Sequence, residues 1–197
     1  MSKSSSSASF VLPGDYRKAA ERLFPANGFS KGQKGLKPDL KAAAEFAKAL
    51  GAGAEYQRVL ALDKNSGEMQ TFLNHFKNNL DLLIQKTWVE KTEERRKDAL
   101  HNDTSSFMAK LEKEDLHGAI EDFGTILEEL AYLFFGAQSK QADFTEYTFR
   151  IDAQMGLFWW YGSRLSSIKN NIIENDGKND KFLWAVLLLG ICYLTNF

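Results

Sequence analysis

The chain has 197 residues, of which 44% are hydrophobic and 13% aromatic, so it can bury a full core and is not disordered as a whole. Its formal net charge of −1 excludes a global electrostatic pull toward nucleic acid or anionic membrane. The lone Cys192 excludes an internal disulfide and points to a reducing, cytoplasmic setting.

Charge is unevenly spread. Residues 1–48 carry nine Lys/Arg against four Asp/Glu, a local +5, so the remainder holds −6. The opening MSKSSSSASF is polar and lacks the apolar centre of a signal peptide. Residues 1–12 read as a flexible polar tail and 13–197 as one all-α domain. Within it, 13–53 also reads as a basic N-terminal helical arm. Asp15 suits the N-cap of a short helix ending near Phe24, before Pro25 and the Asn27-Gly28 turn. Residues 25–37 form a basic, Gly-rich loop with no phosphate-loop spacing. Pro38 suits a first helical position, and Asp39 complements the positive helix end. Leu40, Ala43, Phe46, Ala47 and Leu50 then carry an apolar stripe to Gly51. Residues 54–62 fit a helix or a short strand. Helix is the better reading, because no partner strand follows.

Glu68–Asn102 reads as a long central helix capped by Ser66. Met69, Phe72, Leu73, Phe76, Leu80, Leu83, Ile84 and Trp88 recur at steps of three and four. Its second half is a charged run through Glu93, Glu94, Arg95, Arg96, Lys97 and Asp98 to His101. Asp103 or Thr104 is then expected to cap a new helix bearing Phe107, Met108 and Leu111. A further stripe runs from Leu116 to Phe134 and stops at Gly136. Phe144–Glu174 forms another helical segment with an aromatic centre around Trp159 and Trp160, ended by Asn175-Asp176-Gly177. The last helix, Phe182–Leu194, is apolar all round. At 13 residues, about 20 Å, it is too short to span a bilayer core of about 30 Å. The expected fold is an all-α bundle of five to seven helices with short connections.

Few residues suggest chemistry. Arg96-Lys97-Asp98-Ala99-Leu100-His101 has the form R-x4-H, with a polar residue after Arg and Asn102 after His. This resembles the signature of HEPN domains, all-α and often dimeric proteins. The resemblance implies metal-independent RNA cleavage or RNA binding, with His101 moving a proton and Arg96 holding the scissile phosphate. It also implies a site composed from two protomers, which suits two side chains set about 140° apart on a helix. The bland alternative is a solvated helix end, with His101 near a C-terminus and its dipole.

Glu114-x-x-His117 has the spacing of a di-iron helix motif, but its nearest counterpart, Asp98-x-x-His101, substitutes Asp, so a surface His beside acids is the default. His75 reads as a half-buried structural histidine on the flank of the stripe. Phe158-Trp159-Trp160-Tyr161 reads as core or interface rather than as a base-stacking platform. No metal or cofactor is expected. The sequence is thus best read as a soluble, intracellular helical-bundle protein that acts by binding. A homo-oligomeric or protein contact is expected through Trp159/Trp160 and Phe182–Leu194, because fifteen Phe and four Trp are many for a small bundle to hide.

Overall fold

A computed structural model describes residues 14–25, 39–86, 91–135, 160–165, 168 and 177–195, and every regular element among them is helical. The elements are α1 (Gly14–Leu23), α2 (Leu40–Ala49), α3 (Gly53–Leu60), α4 (Gly67–Lys86), α5 (Lys91–Glu112), α6 (Leu116–Phe135) and α7 (Gly177–Thr195), with a short helical stretch at 160–165. The ambiguous stretch at 54–62 is therefore largely helix.

Local chemistry sets the helix ends. Asp39 is itself the N-cap of α2, accepting a hydrogen bond from the Ala42 amide at 2.9 Å. Ser66 caps α4 as expected, its Oγ accepting from the Met69 amide at 3.1 Å. Asp115 does the same for α6 through the Gly118 amide at 3.0 Å. α2 and α5 both end with paired backbone bonds back into the last turn and a left-handed residue. That residue is Gly51 (φ 77°) after α2 and, unusually, Glu114 (φ 58°) after α5.

The single helix expected over Glu68–Asn102 is instead two. Asp81 Oδ1 of α4 lies 3.4 Å from His101 Nδ1 of α5, whereas twenty residues of one straight helix would separate them by about 30 Å. The reason is a break of phase. Among the described side chains, the last buried one on α4 is Ile84 and the first on α5 is Leu100. Sixteen residues at 100° each turn their faces about 160° apart, so one straight helix would bury one face and expose the other. Asp103 and Thr104 likewise do not cap a new helix. They lie inside α5, where the buried Thr104 hydroxyl donates to the Leu100 carbonyl at 2.8 Å.

α5 and α6 form an antiparallel hairpin, clipped by Lys110 Nζ donating to Asp122 Oδ1 at 2.9 Å. Phe107 stacks on Phe123 at 5.3 Å between ring centroids, and Phe76 of α4 meets both rings edge-on at 6.0 and 5.9 Å. α7, rather than α4, is the central element and packs against α2, α3, α4 and α6. Every residue from Phe182 to Cys192 is buried. Gly190 makes this possible, since a Cβ there would meet Phe123 Cε1 at 2.5 Å and Tyr161 Cε1 at 2.9 Å. No helix among the described residues is long and apolar enough to cross a membrane.

Candidate functional site

The bundle disperses most of the residues that suggested chemistry. Arg96 and His101 share α5, but the side chain of Arg96 lies outside the described residues. His101 is half-buried and stands eleven residues before the end of a helix that runs to Glu112, so it is not a helix-end histidine. Its neighbour is a carboxylate, Asp81, rather than the dipole of a C-terminus. Asp81 carries no local signal of this role, because the contact joins two helices twenty residues apart in sequence.

His75 is exposed rather than half-buried, with Nε2 3.4 Å from Asn79 Nδ2. It sits about 105° around α4 from the centre of the stripe defined by Met69, Phe72, Phe76 and Leu80. Glu114 and His117 do not share a helix face, since Glu114 lies in the turn before α6. Among the described residues no group of three or more His, Cys, Asp or Glu is arranged to hold a metal ion.

Trp159 lies outside the described residues. Trp160 packs edge-on against Phe24 at 5.7 Å and Phe46 at 6.1 Å, with the Arg164 guanidinium 5.6 Å from its ring centroid. Burial lowers the pKa of that guanidinium from its ordinary value. An apolar surface on every side of Phe182–Leu194 calls for the centre of a bundle or another subunit. Residues 182–192 and Leu194 are buried, and α7 packs on the chain's own helices. Among the described residues Phe24, Phe46, Phe72, Phe76, Phe107, Phe123 and Phe182 are buried within one copy. Among the described residues the only large hydrophobics left exposed are Leu40 and Leu82.

What the bundle does build is a groove of about 930 Å³ where α3 turns into α4. Its floor is the turn 61–66, held by Asp63 Oδ1 accepting from the Asn65 amide at 2.8 Å and by Ser66 Oγ donating to the Asp63 carbonyl at 2.8 Å. Glu55 and Arg58 line one wall, one turn apart on α3 with 3.8 Å between their charged atoms. Glu68, Thr71, Phe72 and His75 line the other, from α4. Leu62 and Phe72 give the groove an apolar seat inside a polar rim. Three carboxylates, Glu55, Asp63 and Glu68, face one guanidinium, Arg58, so the rim is net acidic.

Behind the α3 wall lies Cys192. Its thiol is pushed up to about 12, first by burial and then by the charge of Glu55. Burial disfavours its thiolate, which suits a packing role. The groove could not be read from local sequence, because its walls are paired by packing against α7.

No protein-family model matches the chain, and no curated protein or solved structure matches it.

Proposed function

We propose that this helical-bundle protein acts by binding, and that the groove between α3 and α4 receives a segment of a partner protein. The observation that carries this reading is the groove's make-up, an apolar seat at Leu62 and Phe72 inside a net acidic rim. The matching segment presents an apolar anchor beside a Lys or Arg. Thr71 is exposed on the groove wall, so Thr71→Trp places a bulky ring in the groove without touching the core.

The test is selection from a random peptide-display library on the immobilised full chain, with Thr71→Trp as the counter-selection. The reading predicts enriched peptides that carry a basic residue next to an aliphatic or aromatic one and that are lost on the variant. Enrichment of acidic peptides, or equal capture by the variant, contradicts it.

A second reading is the HEPN-type ribonuclease, and the pairing of Asp81 with His101 favours it. A carboxylate beside Nδ1 is how an imidazole is oriented so that Nε2 can exchange a proton. In that reading Arg96 contacts the phosphate. The distinguishing assay is single-stranded RNA with wild type, His101→Ala and Arg96→Ala, with and without chelator. Cleavage that survives chelator and is lost in both variants selects the ribonuclease. RNA left intact by wild type removes it.

A further inference from the structure

A second concavity lies at the other side of the α4 N-terminal half, where α4, α5 and α6 meet the start of α7. It is more enclosed than the groove and measures about 160 Å³. Its lining includes the indole of Trp184, which is 8% exposed, and the apolar side chains Leu73 and Met108. Two carboxylate residues, Glu112 and Glu114, line it from the end of α5. The ammonium of Lys64 stands over the Trp184 ring, 5.2 Å from its centroid. An aromatic face that already attracts a cation, bordered by two carboxylates, has the chemistry of an ammonium receptor. At roughly 30 Å³ per water-sized group, the volume suits about five non-hydrogen atoms.

Glu114 strengthens the case. The residue after α5 takes a positive φ of 58°, a conformation in which glycine is favoured, yet a carboxylate stands there. That position brings Glu114 to the pocket, opposite in sign to the cation on the indole.

We propose that the pocket at Trp184 binds a small organic cation, a quaternary or short primary ammonium. Lys64 competes with that cation for the ring face, and Glu112 and Glu114 supply the counter-charge. With two carboxylates against one ammonium, the lining carries a net negative charge, which disfavours an anionic ligand. The site is separate from the groove at α3 and α4, so its failure leaves the peptide-binding reading untouched.

The experiment is a titration of the full chain with tetramethylammonium chloride at constant ionic strength, followed by nuclear magnetic resonance at the Trp184 indole N–H and the Glu114 amide. Inorganic phosphate is the control ligand. Wild type is expected to show saturable shifts at both positions. Lys64→Met, which removes the competing cation, is expected to bind about two- to fivefold tighter, and Glu114→Gln to bind more weakly by a similar factor. Lys64 and Glu114 are both exposed, so neither substitution threatens the core. Absence of saturable shifts in both wild type and Lys64→Met overturns the proposal. So does binding of phosphate that Lys64→Met abolishes, which would make the pocket an anion site.

Discussion

The phenol of Tyr161 donates a hydrogen bond to the main-chain carbonyl of Val186 at 2.5 Å, joining the stretch 160–165 to the middle of α7. Both partners are buried, and burial raises the Tyr161 phenol well above its ordinary pKa. Tyr56 offers the contrast, because its buried hydroxyl has no hydrogen-bond partner among the described residues. Removing a satisfied buried hydroxyl costs about 1 kcal/mol, whereas removing an unsatisfied one is close to neutral or stabilising. Urea unfolding should therefore show Tyr161→Phe destabilised and Tyr56→Phe unchanged or more stable. Equal losses in the two variants would contradict the assignment.

Gly190 tests the packing at the centre. An alanine there improves helix propensity by about 1 kcal/mol. Its methyl would, however, press on Phe123 and Tyr161, two buried rings with little room to move. Overpacking of this kind costs about 1–3 kcal/mol and outweighs the propensity gain. Gly190→Ala should lower the thermal midpoint, and a raised midpoint would mean that α7 leaves room for a methyl group beside Phe123 and Tyr161.

Glu114→Gly is expected to stabilise the chain by about 1 kcal/mol, since glycine adopts the left-handed conformation without the Cβ penalty. The same substitution removes a carboxylate from the Trp184 pocket. Higher stability with weaker tetramethylammonium binding is the joint result to look for in denaturation and titration.

Alkaline pH should unfold the protein cooperatively. The Cys192 thiol is raised from its ordinary 9.0 to about 12, and the Tyr56 phenol from 10.0 to about 12, mainly by burial. Lys110 is also raised above its ordinary 10.5, chiefly by its hydrogen bond to Asp122. Each folded value lies above the unfolded one, so the unfolded chain releases its proton first. Their contribution is complete below the unfolded values and is lost as pH rises toward the folded ones. Urea midpoints should hold up to about pH 8.5 and fall steadily above it, with a shallower fall in Cys192→Ala. A flat profile would mean that these groups are open to solvent.

The all-helical class was legible because apolar residues recur at steps of three and four, and Ser66 stands where its helix begins. The split between α4 and α5 was also present in the chain, in the phase difference between Ile84 and Leu100. It was hidden because Trp88 continues the stripe of Ile84 in phase, and the charged stretch 90–98 then carries no apolar residue to mark the change of face. His75 was misjudged by adjacency to Phe76, although its angle around α4 places it outside. The groove, the Asp81–His101 pair and the Lys64–Trp184 contact lie beyond sequence reasoning, because each joins segments that only tertiary packing brings together. Lys64 and Trp184 are 120 residues apart, with no pattern linking them.

The most direct measurement places a photo-crosslinking amino acid at Thr71 in one form of the full chain and at Asn78 in another, each expressed in its native cell. Both positions are exposed on the outward face of α4, about two turns apart, and only Thr71 lines the groove. A groove that receives a partner segment gives one adduct of defined mass at position 71 and none at position 78. The crosslinked peptide should hold a basic residue beside an apolar one, and the yield should fall as salt is raised in lysate, because the rim is acidic. No adduct at position 71, or the same adducts at both positions, would contradict the account.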